Sequence, residues 1–159
     1  MKLITRDLLD QLVLKARASP RGRAHHNIHP SAADPVQRFV VAVERRSYFR
    51  PHRHRTRAEL AWVLLGGFDV ITFDDAGCIQ SRCSVGEGTE RLAFETPPDV
   101  WHTLLARHDG SAFLEVKEGP YDPATSAEFA PWAPAEGTAE VASFQQLLQQ
   151  ATVGSRLLP

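Results

Sequence analysis

Pro51-His52-Arg53-His54-Arg55-Thr56-Arg57-Ala58-Glu59, running on through residues 60–65 to Gly66-Gly67, is the stretch that decides how the rest of the chain is read. Two histidines at i and i+2 of an extended segment project from one face, because strand side chains alternate. His52 and His54 therefore point together. Glu59 adds a carboxylate just beyond a short turn, and imidazole with carboxylate is a donor set for mid-series divalent metals. Residues 60–65 are enough for one strand before the glycine pair, where a tight turn needs backbone that only glycine adopts without strain. The spacing H-x-H-x4-E-x6-G would arise by chance in roughly one chain in a thousand of this length and composition. Further on, Pro97-Pro98-Asp99-Val100-Trp101-His102 offers a fourth donor, His102, after a Pro-containing turn.

Outward from this stretch the hydrophobic period is two. Residues 36–44, 48–54, 60–65, 68–73, 79–85, 91–95, 102–106 and 112–117 read as strands, separated by Gly-, Pro- and Asp-rich turns. Eight short strands argue for a closed or two-sheet β architecture of jelly-roll type, since an open sheet would leave long edges. By parity Tyr48 and Arg50 share the face of His52 and His54. On the last strand Phe113, Glu115 and Lys117 alternate with Leu114, Val116 and Glu118, and parity leaves open which set faces in.

The ends of the chain change period. Ile4, Leu8, Leu9, Leu12, Val13 and Ala16 recur at helical spacing behind a Thr5 cap, which predicts an amphipathic N-terminal helix. A polar loop follows, carrying His25, His26 and His29 near the barrel mouth; no carboxylate or cysteine has the spacing to make these a second metal site. After residue 118 the chain is rich in Pro and Ala and too long for an ordinary connection. We expect a covering arm anchored by Trp132, with a short helix over residues 124–129 started by Asp122-Pro123. Ser143 and Gln146 predict a capping box for a terminal helix, and residues 154–159 are expected to fray. The expected organisation is residues 1–35 as helix and loop on the barrel, 36–118 as the barrel and 119–159 as arm and helix, all in one domain.

The length of 159 residues suits one core, and a formal net charge of -1 selects neither nucleic acid nor an anionic membrane as partner. Cys78 and Cys83, on one strand five positions apart, would face opposite sides and not pair, which suits a reducing cytoplasm. With no signal-like or bilayer-spanning run, the expected location is cytoplasmic and the expected partner a small molecule; a homodimer is compatible with the sequence.

The two histidine-bearing motifs resemble those of the cupin superfamily. Arg46 and Asp99 stand where the motifs usually have glycine, and Ala106 where the second closes on asparagine; no ligand is lost. The resemblance implies an all-β cupin-type jelly-roll barrel, a double-stranded β-helix, with short peripheral helices at both ends. More narrowly, Asn27-Ile28-His29, Val36-Gln37-Arg38-Phe39, Arg50-Pro51-His52-Arg53-His54, Trp101-His102-Thr103-Leu104 and residues 115–123 and 130–134 look like the WbuC family of cupin-fold metalloproteins, whose genes accompany bacterial O-antigen clusters of lipopolysaccharide biosynthesis. That resemblance implies a fold and a metal site more firmly than a chemistry.

Three imidazoles and one carboxylate leave a six-coordinate divalent ion two positions for water or substrate. The expectation is one divalent transition metal, Zn, Fe, Mn or Ni, held by His52, His54, Glu59 and His102. The protein would be a metalloenzyme that isomerises or epimerises a small sugar or sugar-nucleotide derivative or oxo-acid, with Tyr48, Glu115, Lys117 and Tyr121 as candidate proton carriers. Arg38, Arg50, Asn27 and His29 are the candidate substrate contacts, the arginines because guanidinium grips carboxylate or phosphate in two places. The alternatives are an iron-dependent dioxygenase and a non-catalytic binding module.

Overall fold

The alternation of period two in the centre and 3.6 at the ends becomes two sheets clasped between helices. The computed structural model describes residues 1–157. In chain order these form α1 (Arg6–Ala18), β1 (Arg23–Asn27), β2 (Val36–Val43), β3 (His52–Arg53), β4 (Glu59–Leu65), β5 (Gly67–Phe73), β6 (Ile79–Gly86), β7 (Ala93–Thr96), β8 (Trp101–Ala106), β9 (Ser111–Glu118), β10 (Glu128–Phe129) and α2 (Val141–Gln150). One sheet has the order β1-β2-β9-β4-β7 and the other β10-β3-β8-β5-β6. Pairing within both is antiparallel. The architecture is the cupin-type jelly roll, and no helix of the described residues is long and apolar enough to cross a membrane.

Alternation sorts each strand between two cores. On β2, Val41 and Val43 pack between the sheets with Phe68, Val70, Leu104 and Phe113. Their neighbours Val40 and Ala42 face outward, onto Leu9, Leu12 and Ala16 of α1. Burial of each such leucine contributes about 1.5–3 kcal/mol. α1 starts where expected, with the Thr5 side chain accepting from the Leu8 amide. The outer face of the second sheet is covered by α2 and the arm, through Phe144, Leu148 and Ala133 on Ile71, Phe73 and Trp101.

The turn between β4 and β5 needs its glycine: Gly66 has φ +60°, and a Cβ there would lie 2.4 Å from Ser111 Oγ. Asp99, standing where the cupin motif usually has glycine, has φ 64°. Asp tolerates this left-handed backbone better than most residues, so the substitution keeps the turn.

Four local expectations are corrected. Residues 25–27, read as loop, belong to β1, which pairs with β2 from Arg23↔Val43 to Asn27↔Phe39. Residues 124–129 make no helix: Asp122 caps a turn, and Glu128–Phe129 become β10 against β3. Helix α2 begins at Val141 after Glu140, with no side-chain cap, so Ser143 lies inside its first turn, donating to the Glu140 carbonyl. Residues 154–157 do not fray: Cys78 and Arg156 form a β-bridge and Leu157 is buried. Residues 158–159 lie outside the described residues. Among the described residues Cys78 and Cys83 are both free.

Candidate metal centre

The site sits where the two sheets meet at one end of the barrel. β3 contributes His52, His54 follows it, and β8 sets His102 directly opposite His52 in the ladder. Glu59 comes from the facing sheet, at the start of β4, with Lys117 of β9 as its cross-strand partner. Alternation turns Arg53 the other way, where it packs over the Trp101 ring and meets Asp75, Asp99 and Glu128.

The four expected ligands converge. One donor atom from each of His52, His54, Glu59 and His102 lies within 4.8 Å of all the others. Each ring is fixed by a main-chain carbonyl at Nδ1: Arg50 O for His52 (2.9 Å), Val100 O for His102 (2.9 Å) and Ser126 O for His54. A carbonyl only accepts, so each Nδ1 carries a proton, and in a neutral ring the Nε2 then presents a lone pair. The Nε2 of His102 is buried with no hydrogen-bond partner among the described residues. The Nε2 of His54 faces Glu59 Oε2 at 2.8 Å, a contact that a proton or a metal ion held between them satisfies. These residues fit a divalent metal.

Electrostatics agree. Burial, reinforced by the neighbouring His102, lowers the His52 pKa to about 3, against the pull of Glu59. Burial also lowers that of His102. Both imidazoles are therefore neutral, the ligating form. For Glu59, burial opposes ionisation, but the His54 hydrogen bond and the Lys117 ammonium outweigh it and hold the carboxyl well below its usual range.

The parity question on β9 resolves inward for Phe113, Glu115 and Lys117, while Leu114 packs outward toward α1. Lys117 Nζ lies 2.6 Å from Glu115 Oε1 and 3.4 Å from Glu59 Oε2. Burial, then the Glu59 charge, pushes the Glu115 carboxyl up to about 8 despite Lys117. Burial would lower the Lys117 pKa, but Glu115 and Glu59 raise it on balance.

These groups line a chamber of about 420 Å³, together with Leu104 and Phe113 of the apolar core and with Arg50 and Tyr121. A groove of about 490 Å³ adjoins it, lined by Asn27, His29 and Gln37, with His25, Phe39, Lys117 and Tyr121 common to both. Two candidates lie elsewhere. Tyr48 is 4% exposed, donates its hydroxyl to the Pro134 carbonyl and packs on Phe144, because the chain at 48–51 is not regular strand and parity does not carry back from His52. Arg38 shares the outward parity of Val40 and is held by Asp34. Sequence reasoning missed Arg21 and Arg23, which line the chamber and clasp Glu136 of the arm. Alternation of Arg23, His25 and Asn27 was the signal available.

A family model described as "Domain of unknown function (DUF6016)" matches residues 4–85, just over half of the chain. No curated protein matches. Among solved structures, KdgF from Halomonas sp. is 17% identical with TM-score 0.50, over 65% of this chain and 84% of that one. An oxalate oxidase in complex with the substrate analogue glycolate is 20% identical with TM-score 0.53, over 72% of this chain and 58% of that one. Oxalate decarboxylase from Bacillus subtilis is 20% identical with TM-score 0.51, over 86% of this chain and 37% of that one. The chain thus spans a little over half of the oxidase and about a third of the decarboxylase. These likenesses carry the fold, which is that of the cupins, and the matched model carries the family: the chain belongs to the family described as Domain of unknown function (DUF6016).

Proposed function

We propose that this protein is a metal-dependent enzyme that rearranges a small polar substrate by moving protons, an isomerase or epimerase of a sugar, sugar-nucleotide or oxo-acid derivative. The observation that carries the reading is the Glu115–Lys117 pair, buried at 2.6 Å on the wall of the chamber that holds the four ligands. A module that only holds a ligand needs no such group with a displaced pKa. A bound divalent ion would stabilise negative charge on a substrate oxygen. Glu115, held protonated near neutrality by burial and by Glu59, gives a proton to the substrate or takes one from it. Lys117 keeps Glu59 ionised and oriented toward the histidines. Leu104 and Phe113 give part of the chamber wall an apolar surface. Tyr121, at the mouth, is the candidate for a second proton carrier.

The stretches that resemble the WbuC family support a setting in bacterial surface polysaccharide metabolism, in the cytoplasm. The experiment is metal analysis of protein purified without a chelating column, then a screen of nucleotide sugars and oxo-acids in D2O. Solvent deuterium should enter the substrate, and Glu115→Gln should slow that exchange by about 10²–10⁴-fold with metal content unchanged. Oxygen uptake without exchange would replace this reading by a dioxygenase. Binding without exchange or turnover would replace it by a binding module.

A further inference from the structure

The chamber and the groove differ in charge, and the difference specifies a ligand. Arg21, Arg23, Arg50 and Lys117 line the chamber against Glu59, Glu115 and Glu136, so a divalent ion added to the site leaves a surplus of positive charge. Most of these charges are already committed. Arg21 and Arg23 both hold Glu136, at 2.7 and 2.9 Å, and Lys117 holds Glu115 and Glu59. Arg50 is different. Its Nη2 donates to the Ala130 carbonyl at 3.0 Å, but its Nε is buried with no partner among the described residues. An unpartnered guanidinium nitrogen beside His52, in a chamber with excess positive charge, is a place for an anionic oxygen.

The groove has no carboxylate, and its one charged residue is Lys117, at the neck. Its other polar groups are the side chains of Asn27, Gln37, Tyr121 and two histidines. The Gln37 amide nitrogen is taken by the carbonyls of Ala32 and Asp34, which leaves its oxygen as an acceptor. His29 is fixed through Nδ1 by the Arg38 main chain, 2.8 Å from its carbonyl and 3.0 Å from its amide. Asn27 is exposed and makes no side-chain hydrogen bond among the described residues. Phe39, which lines both cavities, sets its ring edge-on to His25 and His29, with Lys117 Nζ 5.2 Å from its centroid. A two-carbon acid would leave most of the chamber's 420 Å³ and all of the groove's 490 Å³ vacant.

We infer that the ligand is an elongated hydroxy- or oxo-acid: its carboxylate and adjacent oxygen lie at the four-ligand site and Arg50, and an uncharged, hydroxyl-bearing tail passes Lys117 into the groove of Asn27, His29 and Gln37. The inference rests on the open metal site proposed above and adds the substrate class and the second subsite.

The test is calorimetric titration of the metal-loaded protein with three probes: glycolate, which carries only the head; gluconate, which carries head and tail; and glucose, which lacks the carboxylate. Gluconate should bind about tenfold more tightly than glycolate, the gain expected of one or two further hydrogen bonds, and glucose should bind weakest. Asn27→Ala, an exposed change, should cost gluconate at least about threefold and glycolate little. Arg50→Gln should weaken both acids by about tenfold or more. Gluconate binding no tighter than glycolate, or an unchanged ratio in Asn27→Ala, overturns the two-part ligand while leaving the metal reading intact. If glycolate binds equally with and without metal, the open metal site fails and this inference fails with it.

Discussion

The two ends of the barrel interior are built from the same strands and serve opposite ends of the energy balance. Along β8 the inward positions run from His102 to Leu104, along β4 from Glu59 to Ala61, and along β9 from Lys117 and Glu115 to Phe113. One end is apolar and closed, with Val41, Val43, Ala61 and Phe68 at 0% exposure. The other gathers three imidazoles, two carboxylates and an ammonium, of which His54, His102, Glu59 and Glu115 are buried and exchange hydration for one another or for a metal. Alternation fixes that a residue faces inward, and its distance from the mouth decides whether it stabilises the fold or serves the site.

The largest effect is expected from cutting the apolar end. Phe113 is 1% exposed, and its ring lies 5.2 Å from that of Phe68, edge to face. Phe113→Ala should cost about 3–5 kcal/mol by urea unfolding, with or without chelator. His102→Ala, its counterpart at the other end, should leave the metal-free protein less affected, because the loss of the ring and of its Nδ1 bond to Val100 is offset by removal of a buried Nε2 that has no partner among the described residues. In the metal-loaded protein it should lower metal affinity by an order of magnitude or more, and with it the stability that binding adds by mass action. Equal destabilisation of the metal-free protein by the two substitutions would erase the distinction between the ends.

Acid sharpens the same comparison. His52 titrates near 3 in the fold and near 6.5 when exposed. Between those values the unfolded chain binds a proton that the folded chain refuses, so the stabilising difference is present above about 6.5 and is lost as pH falls toward 3. Protons also compete with the metal for the imidazoles, so metal release should fall in the upper part of that window. Denaturation midpoints of chelator-treated protein, measured across the window, should slope for the wild type and less steeply for His52→Gln. A flat wild-type profile would mean that the imidazole is already charged in the fold.

How much of this was legible depended on whether a signal was local. His52, His54, Glu59 and His102 could be read because strand parity and a short spacing put three donors on one strand-turn-strand unit, and the second motif added the fourth. The inward set of β9 could not, since Phe113-Glu115-Lys117 and Leu114-Val116-Glu118 have similar polarity and only pairing with β2 and β4 separates them. Tyr48 went astray because parity was extended through residues 48–51, where the ladder is absent. The arm was anticipated as a cover, but β10 at Glu128–Phe129 is too short to carry a pattern; it pairs with β3, where Arg53 and Arg55 reach Glu128. Arg21, Arg23 and Glu136 meet across more than a hundred residues, a contact that no local pattern encodes.

The smallest effect tests the turn that delivers His102. Asp99 adopts φ 64°, its amide donates to the His54 carbonyl at 2.7 Å, and its carboxylate meets Arg55 at 3.1 Å. If the position is chosen for its backbone, glycine should serve there and alanine should not, because a left-handed residue with a Cβ costs about 1–2 kcal/mol and Asp recovers part of that through local hydrogen bonding. The ion pair is half exposed on both sides, so its loss should cost under about 1 kcal/mol. Asp99→Gly is therefore expected to stay within about 1 kcal/mol of the wild type by thermal or urea unfolding, and Asp99→Ala to be less stable than Asp99→Gly by about 1 kcal/mol. Metal affinity should follow the same order, since a relaxed turn moves His102 relative to His54. Should alanine and glycine prove equal, with both losing metal, the carboxylate's grip on Arg53 and Arg55 would be what holds the two histidine-bearing segments in register.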